Sequence, residues 1–153
     1  GCHVCLLRPK STGEVTLNSN NAYDSPKIDP KFFSEREDMD VMIKGYRKMM
    51  EIMDADPLRP FTRKVQDPVD INSDADIEEA MRARADTVYH PVGTCKMGSD
   101  DMSVVNHELK VHALENVRVV DASIMPTLVG GNTNAPTIMI GEKAADMIKS
   151  AWA

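Results

Sequence analysis

The sequence lacks any apolar run approaching the roughly 18 to 20 residues that a helix needs to cross a bilayer. Its first residues, Gly1-Cys2-His3-Val4-Cys5, also lack the form of a secretory signal. The chain therefore reads as soluble, with no address of its own and a cytoplasmic setting favoured. A basic surface is missing as well: 18 Lys and Arg are scattered among 24 Asp and Glu, giving a formal charge of -6 and a pI near 5.2. Nucleic-acid binding depends on Lys and Arg displacing counterions from phosphates, which argues against that class of partner. Cysteine is scarce, and its count of three is odd, with Cys2 and Cys5 the only close pair. A redox pair of that spacing should open a helix, and a zinc site needs a second ligand pair at suitable distance. Cys2, Cys5, Cys95 and a histidine have poor spacing for zinc, so reduced cysteines and no metal are expected.

What is present is ordinary globular material. At 153 residues the length suits one domain, and 42% hydrophobic with 27% charged residues separates the chain from disordered and membrane-embedded classes. Cys2–Leu7 and Glu14–Leu17 are short apolar or alternating runs separated by Pro9 and Ser11-Thr12-Gly13, the pattern of a hairpin with a long loop. Ser34 with Glu37 forms a capping box, after which Met39, Met42, Ile43, Tyr46, Met49, Met50 and Met53 recur at helical spacing. This predicts a helix over about 35–54, whose methionine stripe reads as core rather than as a binding surface. A second helix is predicted over 74–85, capped by Ser73 or Asp74 and carrying Ile77, Ala80 and Met81 on one side. Val117–Val120 is the best strand of the C-terminal half, and a final helix begins near Ala135 or Pro136 with Asn134 as its cap.

Three polar, glycine-bearing segments stand apart from this pattern. They are Tyr89–Gly98, which carries His90, then Asp121-Ala122-Ser123, then Gly130–Thr137, which carries Asn132. The pair Gly130-Gly131 permits a sharp turn before the last helix, whose first N–H groups would favour an anion; a simple loop and cap would account for the same residues. His90 opens a turn-rich segment, a setting that suits an imidazole at a cleft rim, although a lone histidine also serves structure. His3, His107 and His112 have no comparable setting. Asp121 follows the predicted strand, where α/β sheets present ligand-binding groups.

The segments 89–98, 117–126 and 130–143, in this order and spacing, resemble the C-terminal signature of the glucose-methanol-choline (GMC) oxidoreductases. The resemblance is strong over about residues 87–150 and looser over Leu6–Leu17 and Pro26–Pro30. It implies an α+β fold, with short antiparallel strands packed against helices and a final helix that belongs to the flavin-binding domain. Residues 1–153 would form the C-terminal domain, about 1–88 contributing to the substrate domain and about 89–153 to the catalytic, flavin-facing part. The implied activity is choline-dehydrogenase-like: FAD-dependent oxidation of a primary alcohol to an aldehyde, with proton abstraction and hydride transfer to flavin N5. By the same resemblance His90 is the general base and Asn132 the residue that orients the substrate oxygen. Asp121, Ala122, Asn132, Thr133 and Asn134 are the implied flavin contacts.

Members of that family begin with a Gly-x-Gly-x-x-Gly dinucleotide fingerprint, which does not occur in these 153 residues. The implied partners are therefore an alcohol and an N-terminal flavin-binding part of the same enzyme, without which the chain should be inactive. The other reading is a non-catalytic module that keeps the fold and binds or stabilises a partner. Sequencing the reading frame upstream of Gly1 separates the two. A strand followed by Gly-x-Gly-x-x-Gly is expected, and its absence there would favour the module.

Overall fold

The computed structural model describes residues 1–152 as two compact units, Gly1–Asp86 and the residues from Thr87 onward. The content is α+β, as expected. The first unit holds strands β1 (Glu14–Thr16) and β2 (Lys27–Asp29), helices α1 (Arg36–Met53) and α2 (Asp74–Arg84), and a 3-10 turn at Arg59–Phe61. The second holds a 3-10 turn at Ala122–Ile124 and helix α3 (Asn134–Trp152). No helix among the described residues is long and apolar enough to cross a membrane.

In the first unit the helical periodicity translates directly into packing. Met39 and Ile43 of α1 meet Ile77 and Met81 of α2, all four buried, with Phe33, Met42, Tyr46 and Val69 against them. The methionine stripe is thus core in its N-terminal half, while Met49, Met50 and Met53 are only half-buried. Ser73 caps α2 through its side chain, which accepts from the Asp76 N–H at 3.2 Å.

The start of α1 departs from expectation. Glu35, not Ser34, occupies the cap position, and it makes no side-chain cap bond. Glu37 turns outward to pair with Lys10 instead of closing a capping box. The chain at Lys10-Ser11 supplies the stabilisation: the Ser11 hydroxyl accepts from the Glu35 N–H at 3.1 Å, and Asp38 accepts from the N–H groups of Lys10 and Ser11 at 2.9 and 2.8 Å. A long-range loop has replaced the local cap, which sequence spacing alone does not reveal.

The expected hairpin is also re-paired. β1 runs antiparallel to β2, with Val15 opposite Ile28, and Cys2–Leu7 forms no strand. Gly13 accounts for the close return of the chain, because a Cβ there would lie 2.2 Å from the Asp29 carbonyl oxygen. Val4 instead packs on α1 at Gly45, where the missing side chain leaves room for its methyl group. Cys2 and Cys5 are exposed free thiols and Cys95 is a half-buried one.

The second unit has a core of Val105, Leu109, Ile124, Met125, Ile140 and Ala144. Val117–Val120, expected as a strand, contributes only an isolated antiparallel bridge between Arg118 and Lys110. The segment is held by single bonds such as Val119 N–H to the Leu109 carbonyl at 3.1 Å, because short turns on either side leave no run of partners. Asn106 builds one of these turns, its side-chain oxygen accepting from the N–H groups of Glu108 and Lys110 at 2.9 and 3.0 Å.

Asp38 is the buried acid of the first unit, only 4% exposed. Burial alone would push its carboxyl up, but hydrogen bonds from Ser11 and Lys10, aided by the Lys10 charge, outweigh this and hold it below the usual aspartate value. A carboxyl depressed in the folded state stabilises above its unfolded value, and the contribution is lost as pH falls through the folded one. Stability should therefore decline on acidification below about pH 4. Asp38→Ala should cost about 1–3 kcal/mol at neutral pH and flatten that decline. Urea unfolding followed by helical circular dichroism at pH 7 and pH 3 checks both; equal midpoints for variant and parent would remove Asp38 from the account.

Candidate active site

All three polar segments lie in the second unit, and the backbone draws them together. The N–H groups of Cys95 and Met97 donate to the carbonyls of Ser123 and Ile124 at 3.0 and 2.8 Å, which stitches the segment after His90 to the 121–125 segment. Gly93 permits the turn between them through its backbone alone: its φ is 88°, in the region that side chains avoid, whereas a Cβ there would meet the Met125 carbonyl oxygen only at ordinary contact distance. Ile124 on one side and Ile140 and Ala144 of α3 on the other share the apolar core, which sets the start of α3.

The result is a three-residue cluster. His90 Nδ1 lies 2.8 Å from Thr133 Oγ1, and His90 Nε2 lies 3.0 Å from Asn132 Nδ2. Both nitrogens of the imidazole are therefore engaged, one by a buried hydroxyl and the other by an exposed amide. Thr133 is 5% exposed and immediately precedes α3, and its carbonyl accepts from both the N–H and the hydroxyl of Thr137. His90 itself is half-buried and Asn132 open to solvent, so a small molecule can reach the Nε2 side.

Tyr89, the residue before His90, has φ of 62° and lies 80% exposed. A bulky side chain in the left-handed region is strained, and such strain collects at sites where the surroundings enforce a particular side-chain direction. The Tyr89 N–H is held by the Thr87 hydroxyl at 3.0 Å. Downstream of His90, Lys96 and Ser103 both bond Asp100, and their hydrogen bonds hold its carboxyl well below the usual range. That ion pair braces the far end of the same segment.

The remaining predicted residues have other surroundings. Asp121 caps the 3-10 turn, its carboxylate accepting from the Ser123 N–H at 2.7 Å, and Ala122 is the first residue of that turn. Asn134 is not the cap of α3 but its first helical residue, exposed beside Asn132. Nor do Gly130 and Gly131 supply the turn through a left-handed backbone, since among the described residues Gly93 is the glycine with positive φ. Gly131 instead opens space, with nothing within 4 Å of where a Cβ would stand. Sequence reasoning missed the bond between Thr133 and His90. No local signal announces it, because the partners are 43 residues apart.

The chain has relatives among known proteins. A family model described as GMC oxidoreductase matches residues 9–141. The chain belongs to the GMC oxidoreductases. It is 51% identical over 147 residues to an alcohol dehydrogenase [acceptor] of Pseudomonas putida, covering 95% of this chain and 27% of that protein. It is 44% identical over 149 residues to an oxygen-dependent choline dehydrogenase of Escherichia coli, again 27% of the relative's length and 97% of this chain. Among solved structures it resembles a formate oxidase variant from Aspergillus oryzae concerned with FAD modification, with TM-score 0.90, 33% identity, and coverage of 95% of this chain and 26% of that one. A fungal aryl-alcohol oxidase superposes with TM-score 0.81 at 31% identity, covering 96% of this chain and 25% of that one. As a GMC chain it thus spans about a quarter of the relatives it matches.

The Asp121 cap gives this part of the GMC unit a direct stability test. Asp121→Ala should cost about 1 kcal/mol, the usual worth of such a cap. Faster amide hydrogen exchange at Ser123 is the expected accompaniment, and unchanged exchange there would show that the turn is held by its neighbours.

Proposed function

We propose that this chain is the C-terminal part of an FAD-dependent enzyme that oxidises a primary alcohol to an aldehyde, with His90 as the base and Asn132 as the orienting donor. The observation that carries this reading is the 3.0 Å separation of Asn132 Nδ2 and His90 Nε2 on the accessible side of the cluster. A hydroxyl entering between them can donate its proton to Nε2 while its oxygen accepts from the Asn132 amide. Both contacts use the same oxygen, so the carbinol carbon is held in one orientation while the proton leaves.

The residues present suit a flavin. The amides of Asn132 and Asn134 are exposed, Gly131 has no neighbour within 4 Å of where a Cβ would stand, and α3 begins at Asn134, so donors are available to a ligand there. The first N–H groups of a helix have no partner within it, and the positive end of the helix dipole favours an electron-rich edge such as the flavin pyrimidine carbonyls. The hydroxyl of Thr133 is turned to His90 rather than to this opening. By the family resemblance Asp121 and Ala122, at the turn beside the His90 segment, would lie towards the ribityl and pyrophosphate region. When bound, FAD supplies the acceptor for the hydride. The remainder of its site would come from an N-terminal flavin-binding part, a reading supported by the 27% share of the relatives that this chain spans. The names of those relatives, an alcohol and a choline dehydrogenase, support a small alcohol as substrate.

In the complete enzyme, His90→Ala should slow flavin reduction by alcohol about 100- to 10,000-fold, the range typical of a lost general base, while FAD stays bound. Anaerobic stopped-flow absorbance measures the rate. Reduction as fast as in the parent would remove His90 from the mechanism.

A further inference from the structure

Thr133 contributes the one buried hydroxyl of the cluster, and the geometry gives it a definite task. Asn132 approaches His90 Nε2 with its amide nitrogen, which can donate and has no lone pair to accept. Nε2 must therefore be the acceptor of that bond and carry no proton. A neutral imidazole has one N–H, so its proton stands on Nδ1 and is donated to Thr133 Oγ1, 2.8 Å away.

We propose that Thr133 is a positioning residue that holds His90 in the Nδ1–H tautomer, and thereby makes Nε2 the basic atom facing the substrate. The inference rests on the reading of His90 as a base given above, and it adds what decides which nitrogen is basic. Asn132 by itself is insufficient, because it must release Nε2 when an alcohol takes its place. Thr133 keeps its bond throughout: once Nε2 has accepted the alcohol proton, Nδ1–H still donates to the same oxygen. Its position is set independently of the chemistry. The residue is 5% exposed and sits directly before α3, and its carbonyl accepts from Thr137 N–H at 3.0 Å and from the Thr137 hydroxyl at 2.6 Å. The hydroxyl thus hangs from a backbone anchored by two bonds, and a wrongly held tautomer would present N–H where the base is needed.

The test uses the complete flavoenzyme labelled with nitrogen-15 at histidine, the His90 signals being identified by their loss in His90→Gln. At a pH well above the ordinary histidine range, the parent should show Nδ1 protonated and Nε2 bare. Thr133→Val matches the side chain in shape and leaves the carbonyl bonds of Thr137 intact, removing only the hydroxyl. It should mix the two tautomers and slow flavin reduction about 10- to 100-fold with little change in KM for the alcohol. Thr133→Ser, which keeps the hydroxyl, should restore the nitrogen pattern and bring the rate back to within about 2-fold of the parent. A parent spectrum with Nε2 protonated overturns the proposal without need of any Thr133 variant. So does a Thr133→Val enzyme with the parental pattern and rate. If the tautomer shifts in Thr133→Val but reduction is unaffected in both that variant and His90→Ala, the tautomer assignment stands and the base reading fails.

Discussion

The arrangement of the second unit depends on α3 being seated by its own apolar face. Ile140 and Ala144 are buried against Val105, Leu109, Ile124 and Met125, and burying an aliphatic side chain of the larger kind stabilises by about 1.5–3 kcal/mol. That contact lies two to three turns into the helix, yet it determines where the helix begins. Since an α-helix is stiff over this length, fixing Ile140 fixes Thr133, and with it the hydroxyl that meets His90. The polar cluster is thus located by packing, with hydrogen bonds supplying direction rather than most of the stability.

The same economy explains why so little regular structure is found between Thr87 and Thr133. The segment is held by bridges at Met97–Val105, Val105–Val111 and Lys110–Arg118, each a single pair rather than a ladder. Side chains that close turns take the place of strands: Asn106 binds two N–H groups, Asp121 caps one turn, and Asp100 gathers Lys96, Ser103 and the Met102 N–H. Such a framework places polar atoms at defined points without a continuous sheet, and the strained backbone at Tyr89 is tolerated within it.

Apolar surface left open is consistent with a chain that spans about a quarter of its relatives. Leu17, Tyr23 and Phe61 of the first unit are 83% exposed or more, as is Trp152 near the end of α3. The polar cluster itself combines one buried hydroxyl, on Thr133, with the exposed amide of Asn132 on either side of the His90 ring.

The three helices were legible in the sequence because the signals for them are local. Amphipathic spacing over Met39–Ile43 and Ile77–Met81, and Ser73 as a cap, each involve residues within a turn or two of one another. The strand pairing was not legible. Cys2–Leu7 and Glu14–Leu17 look like partners by pattern, whereas Glu14–Thr16 chose Lys27–Asp29 and Val4 went to Gly45. Val117–Val120 likewise has strand composition but meets only one bridge. The cap of α1 moved from Ser34 to a distant Ser11 for the same reason, since a bond from another part of the chain can outbid a local one.

For the site, the sequence by itself determined the ingredients: a histidine, two amides and a threonine in glycine-bearing segments, and a helix whose first turn would face a ligand. Only the tertiary structure decided their partnership. Nothing in the order of residues sets His90 beside Thr133 rather than Asn134, or turns Nδ1 to a buried hydroxyl and Nε2 to an exposed amide. Periodicity and capping act over three or four residues and can be read along the chain. Bonds across 42 and 43 residues exist only after a core has closed the intervening loop, and the packing of that core sets which atoms face each other.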